Sequence, residues 1–232
     1  LSTITDDYET LNMYKWGLDS SYGLTGMAEG EFAVQDLTWE IVNKMNLGVE
    51  LGFLNGMIDL QLDYFDERRK DIFMPRESVP MTAGFMKQPW KNFGKVTNQG
   101  VEVSLNVNKQ FGKDLFVSLM GTFTYAHNEI TEKDEPSAVV GTNRAETGHP
   151  VGQLTGYIAE GLFTADDFED VSTGKLKEGI PTQSFVSKLR PGDIRYRDVN
   201  GDGKVDVFDK SPIGGTKDPE IVYGFGLNMK YK

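Results

Sequence analysis

The chain has 232 residues, a formal net charge of −11, no cysteine and two histidines, His127 and His149. That balance argues against nucleic acid as a partner, since a phosphate backbone is held by an excess of Lys and Arg. Without thiols there are no disulfide staples, and two histidines do not make a histidine-rich metal centre. No run of about 18 apolar residues occurs, which excludes helical membrane spans but not β-strands, which cross a bilayer with about 9–11 alternating residues.

In chain order, the first clear pattern has period two. Leu47, Val49, Leu51 and Phe53 share one face, then Asn55 and Gly56 form a turn, and Ile58, Leu60, Leu62 and Tyr64 alternate with Asp59, Gln61, Asp63 and Phe65. This predicts a β-hairpin. The polar segment from Arg68 to Thr97, with Pro75, Pro80 and Pro89, reads as a long loop carrying Trp90 and Phe93. A second hairpin follows, with Val101, Val103, Leu105 and Val107 on one strand and Leu115, Val117, Leu119, Phe123 and Tyr125 on the other, joined near Gly112. From His127 to Asp193 the pattern is again irregular, and "GYIAEGLF", around Tyr157 and Phe163, is expected to fold back as an apolar hook. A last strand alternates through Tyr223, Phe225, Leu227, Met229 and Tyr231.

These strands are longer than the usual 5–6 residues, and aromatics (Tyr64, Phe65, Phe123, Tyr125, Tyr223) gather near their ends. Alternation alone fits either a barrel in lipid or a soluble sandwich, because lipid and a protein core both want one apolar face. Short turns at one end and long loops at the other favour the barrel, and structureless loops beyond about 15 residues count against a compact soluble domain.

Within the last irregular stretch, "DVNGDGKVDVFD" has calcium-loop spacing: Asp198, Asn200, Asp202, Asp206 and Asp209 at positions one, three, five, nine and twelve, with the Lys204 carbonyl at seven and Gly203 at the turn. A structural Ca2+ is one reading; an Asx-rich turn neutralised by Arg195, Arg197 and Lys204 is the other. The Pro- and Gly-broken flanks do not supply the helix pair of an EF-hand sensor.

The pieces "LTWEIVNKMNLGVELGFLNGMIDLQLDYFDERRKDIF", "NFGKVTNQGVEVSLNV", "FTYAHNEI", "VGQLTGYIAEGLF" and "PGDIRYRDVNGDGKVDVFDKSPIGGTKDPEIVYGFGL", in this order, resemble the C-terminal barrel portion of SusC/RagA-type TonB-dependent transporters of Bacteroidetes. His127 departs from the polar residue, often Asn, that the family usually has there. The resemblance implies an all-β fold: antiparallel strands of a large transmembrane β-barrel with long extracellular loops, here a partial barrel, since no plug and no TonB-contact segment is visible. The expected organisation is one unit over 1–232, with 128–222 as long extracellular loop regions containing the EF-hand-like loop at 198–209. It also implies TonB-dependent import of glycan oligomers or peptides across the cell outer membrane of a Gram-negative, Bacteroidetes-like cell. The implied partners are a SusD-like surface lipoprotein, the TonB complex reached through other parts of the protein, outer-membrane lipid, and an oligosaccharide or peptide substrate.

No enzyme motif appears in a supporting context. "STGK", Ser172 to Lys175, formally fits S-x-x-K but lies in a Gly-rich loop, so no catalytic residue and no organic cofactor are expected. Trp39, Trp90, Phe93 and Tyr157 are candidates for stacking on a ligand or docking a partner, and the two Trp residues equally suit anchors at a bilayer surface. The alternative function is a secreted or surface-attached β-rich carbohydrate-binding module with structural calcium.

Overall fold

A computed structural model describes residues 13–15, 25–27, 34, 36–83 and 87–232; the remainder of the expected 1–232 unit lies outside the described residues. Two short strands, β1 (Met13–Lys15) and β2 (Thr25–Met27), pair antiparallel. The dominant element is a five-stranded antiparallel sheet of β3 (Ile41–Phe53), β4 (Ile58–Pro75), β5 (Trp90–Phe111), β6 (Leu115–Glu132) and β15 (Ile221–Tyr231), in the order β15-β6-β5-β4-β3. Among the described residues β3 and β15 each have one strand partner.

The two tight turns lie at one end. Leu54, Asn55 and Gly56 all have positive φ (53°, 56° and 80°), a left-handed path that Asn and Gly accept and that matches strand twist. The β5–β6 connection is the three-residue stretch 112–114. At the opposite end the connections are 76–89 and 133–220, so the turn asymmetry read from the sequence is present.

The strands overrun their expected limits. β4 continues to Pro75 and β5 begins at Trp90, so Arg68–Pro75 and Trp90–Thr97 are paired strand rather than loop. The pairing survives through register shifts at Arg69/Ile72 and Ile72/Phe73, with Asp71 at φ 59° marking the bulge. Likewise β6 extends to Glu132 and β15 starts at Ile221, which narrows the long connection from 128–222 to 133–220.

That connection is not structureless. It contains β7 (Gln153–Gly156) paired with β14 (Ser211–Thr216), β8 (Ala159–Leu162) with β12 (Ile194–Tyr196), β9 (Phe168–Asp170) with β10 (Lys175–Leu176), and β11 (Thr182–Gln183) parallel to β13 (Lys204–Val205). Phe163, Phe168 and Leu189 form its own small core, with Leu176, Ile180 and Val186 against it. At about 1.5–3 kcal/mol for each apolar side chain fully removed from water, this cluster stabilises the 163–189 part, while the short strand pairs hold the rest. The expected hook at "GYIAEGLF" is therefore Phe163 inserting into that core.

Candidate functional site

The sheet sorts its side chains into two faces with the register aligned across strands. Direct pairing forms the rows Leu47–Tyr64–Val101–Tyr125–Ile221, Val49–Leu62–Val103–Phe123–Tyr223, Leu51–Leu60–Leu105–Gly121–Phe225 and Phe53–Ile58–Val107–Leu119–Leu227. Among the described residues no second sheet covers this face; Phe225 is 86% exposed and Tyr223 75%. Below these rows the same face carries Val117, Met229, Phe111, Leu115 and Tyr231, and Lys109 lays its ammonium over the Phe111 ring at 5.2 Å. From Val101 to Phe111 a strand rises about 33 Å at ~3.3 Å per residue, or about 25 Å of height when tilted by ~40°, the height of the apolar band of an outer-membrane barrel.

The opposite face is polar in the same register. Its rungs are Glu50–Gln61–Ser104–Thr122–Gly224 and Gly48–Asp63–Glu102–Thr124–Val222. Asp63 and Glu102 oppose each other directly, and Gln61 donates to Asp63 at 3.0 Å. Like charges on one rung are destabilising unless water screens them, so this face belongs to a wet space.

Above the Tyr64/Tyr125 row both faces turn polar. Asp66 accepts from Arg68 and Gln99, both at 3.0 Å, Arg69 pairs with Glu40 at 3.0 Å, and His127 Nδ1 meets Glu220 Oε1 at 2.6 Å. The apolar band ends here. Trp39 stands just before β3 and is 74% exposed; Trp90 stacks on Phe73 at 5.1 Å, and Phe93 lies under the Arg76 guanidinium at 5.3 Å. None of these three shares a contact with Tyr157, so the four aromatic candidates do not form one site.

Tyr157 instead stacks on Phe185 (4.8 Å, 27°) and meets Tyr196 at 5.6 Å, while Lys210 Nζ sits 5.7 Å over its ring. Phe185 and Tyr196 escaped the sequence reading because they lie far from Tyr157 along the chain and carry no local pattern. Ser172 donates to Asp170 at 2.7 Å and Lys175 pairs with Glu169 at 2.5 Å, so the two are not coupled as nucleophile and base.

The Asp/Asn stretch forms a turn satisfied by its own backbone. Asp198 accepts from the Gly201 and Gly203 N–H groups, both at 2.7 Å; Asn200 accepts from Asp202 N–H at 3.0 Å, and Asp202 from Lys204 N–H at 2.9 Å. Asp209 is fully buried and accepts from Val199 (2.8 Å), Asn200 (3.3 Å) and Asp206 (2.7 Å) N–H. Asp206 caps Phe208 N–H at 2.9 Å, the main cause of its carboxyl lying below the ordinary value, and it also takes a bond from Lys204 Nζ at 3.1 Å. Among the described residues no group of three or more His, Cys, Asp or Glu side chains converges as a metal site.

An antiparallel sheet with one bare apolar face, one polar face and all long connections at one end defines a wall segment of a large β-barrel. Residues 7–215 match the family model described as TonB dependent receptor-like, beta-barrel, and the chain belongs to that family. It is 24% identical over 97% of its length to TonB-dependent receptor P3 of Formosa agariphila, of which it covers 22%, and 28% identical over 85% to TonB-dependent receptor SusC of Bacteroides thetaiotaomicron, of which it covers 19%. The chain thus spans about a fifth of these relatives. Among solved structures it is similar in fold to the RagAB peptide importer in the closed-closed state, with a TM-score of 0.62 at 21% identity, covering 96% of this chain and 22% of that one.

Proposed function

We propose that the chain forms part of a TonB-dependent importer in the outer membrane of a Bacteroidetes-like bacterium, taking up glycan oligomers or peptides together with a SusD-like surface lipoprotein. The observation that carries this reading is the five-strand alignment of bare apolar rows on one face against wet polar rungs on the other. Lipid covers the first, the barrel lumen holds the second, and 133–220 stands at the extracellular end. RagAB is named a peptide importer, which supports the peptide class, while the glycan class rests on the resemblance to SusC/RagA-type transporters. The carbohydrate-binding-module reading needs a second sheet to bury the apolar rows, and among the described residues none of the two-stranded sheets lies against them. Uptake of labelled glycan oligomers and oligopeptides, measured with the full-length protein in cells with and without a functional TonB complex, tests it: uptake of at least one class lost without TonB is expected, and TonB-independent uptake contradicts it.

For the turn at 198–209 we propose weak calcium binding at its exposed half, through Asp198, Asn200, Asp202 and the Lys204 carbonyl. Asp198, Asn200 and Asp202 also accept backbone N–H groups but stay half-buried or exposed, whereas Asp209 is fully buried on three backbone N–H groups and Asp206 is tied to Phe208 N–H and Lys204. The ligand set is therefore smaller than the full spacing suggests, and affinity falls in the range of about 10⁻⁴–10⁻³ M of extracellular modules.

A further inference from the structure

Within a chain of net charge −11, one pocket runs against the overall sign. A cavity of about 470 Å³ between the 144–155 stretch and the 207–217 stretch is lined by Arg144, Lys210 and Lys217, with His149, Gln153 and Glu146. The single carboxylate there, Glu146, is already paired with Lys133 at 2.9 Å. Arg144 lies over the Phe208 ring at 4.7 Å and within the field of Asp206, Lys210 lies over Tyr157, and among the described residues none of the three cations forms an ion pair.

The cations come from separate stretches fixed by backbone contacts. Asn143 donates to the carbonyls of Phe208 (2.9 Å) and Lys210 (2.8 Å), which sets Arg144 beside the 207–210 turn. Gln153 donates to Gly215 O and Lys217 N–H to Gly152 O, both at 3.0 Å, which closes the other side through the β7–β14 pair. Three cationic residues lining one pocket, carried on backbone stretches tied to each other, give it a positive field that attracts an anion. Lys210 also joins the pocket to the Tyr157–Phe185–Tyr196 cluster, whose Phe185 is 46% exposed and offers an apolar ring face.

Resting on the import reading, we propose that this pocket selects an anionic oligosaccharide: Arg144, Lys210 and Lys217 hold a carboxylate or sulfate ester, and the aromatic cluster takes the sugar ring beside it. Neutral glycans of the same length lack the charge the pocket is built around.

The test uses the full-length protein in detergent and calorimetric titration with tetragalacturonate, its methyl-esterified neutral form, a sulfated galactan tetrasaccharide and a Glu-rich peptide of similar length. At least about tenfold tighter binding of one anionic sugar than of the neutral ester is expected, weakened by salt. Carboxylate and sulfate sources are told apart by which sugar binds. Arg144→Gln with Lys217→Gln should remove the preference about tenfold or more while Lys210→Arg keeps it. Equal binding of charged and esterified forms, or binding of the peptide alone, overturns the assignment. Anionic-sugar binding without TonB-dependent uptake overturns the import reading and leaves the pocket standing; TonB-dependent uptake blind to charge does the reverse.

Discussion

Asp134 Oδ2 accepts a 2.7 Å hydrogen bond from Arg76 Nε, and so ties the first residues of the two long connections to each other. The same oxygen takes the Ser78 hydroxyl at 3.0 Å and the Ser78 N–H at 3.3 Å. The carboxylate is buried, so its partners cannot be lost cheaply. Replacing Arg76 by Ala leaves a buried acceptor short of its charged donor, at a cost of about 1–3 kcal/mol. Faster amide exchange over 76–80 and 133–136 in the R76A protein is the expected readout; unchanged exchange would show that other contacts hold the connections.

This pair also sets a pH response. Burial alone pushes the Asp134 carboxyl up, but the hydrogen bonds from Arg76 and Ser78 outweigh it and hold the carboxyl below its ordinary value. A depressed folded-state value means the contribution is present above the unfolded pKa of about 3.9 and is lost as pH falls through the folded value. Protease nicking within 76–89 should therefore rise below about pH 4 in the wild type and lose that pH dependence in Asp134→Asn.

Within the sheet, Gly100 on β5 carries a sharp expectation. A Cβ there would stand 2.3 Å from the Tyr125 carbonyl and 2.4 Å from Phe65 Cζ, because Phe65 fills the space a side chain on β5 would need. The contact is with backbone, so the strand must shift. Gly100→Ala should destabilise by about 1–3 kcal/mol, with Phe65→Ala in the same protein relieving only the ring contact. Chemical denaturation of the refolded barrel checks both variants.

The sheet was legible in the sequence wherever one face meets an apolar medium. From Leu47 to Phe53, or Val101 to Val107, alternation and face agree, and the turn at Asn55–Gly56 fixes the register. Legibility stopped at Arg68 because beyond the Tyr64/Tyr125 row charged and polar side chains such as Asp66, Glu67, Arg68 and Arg69 fall on both faces, so no apolar alternation marks the strand although the hydrogen-bond ladder continues to Pro75 and Trp90. In 133–220 the sequence showed Tyr157 and the Asp/Asn spacing but not their partners. Phe185, Tyr196, Arg144 and Lys217 are brought together by tertiary pairing of short strands, which leaves no local signature. The spacing at 198–209 was real, yet Asp209 turned inward to satisfy three backbone N–H groups.

Asp209→Ala removes those three acceptor contacts from a fully buried position, and should cost at least about 1–3 kcal/mol locally. The loop should then be cut by protease at 198–209 with or without calcium. Asp202→Ala, by contrast, should spare the loop and abolish the heat of millimolar calcium binding after chelation. No calcium heat in the wild type would leave a hydrogen-bonded turn as the whole of the site.

The central claim is that the Val101–Val103–Leu105–Val107 face looks to lipid and the Glu102–Ser104–Asn106 face to the lumen. Spin labels placed singly at positions 101 to 107 of the full-length protein, reconstituted in bilayers, report this directly through collision with oxygen, which concentrates in lipid, and with a water-soluble nickel complex. Oxygen accessibility should peak at the odd positions and nickel accessibility at the even ones, with Leu105 deepest. In the same series Leu105→Arg should destabilise by about 2–4 kcal/mol and Ser104→Arg by far less. Odd positions shielded from both reagents would mean they are buried against another sheet, and odd positions open to nickel would mean they face water; either result contradicts the barrel wall.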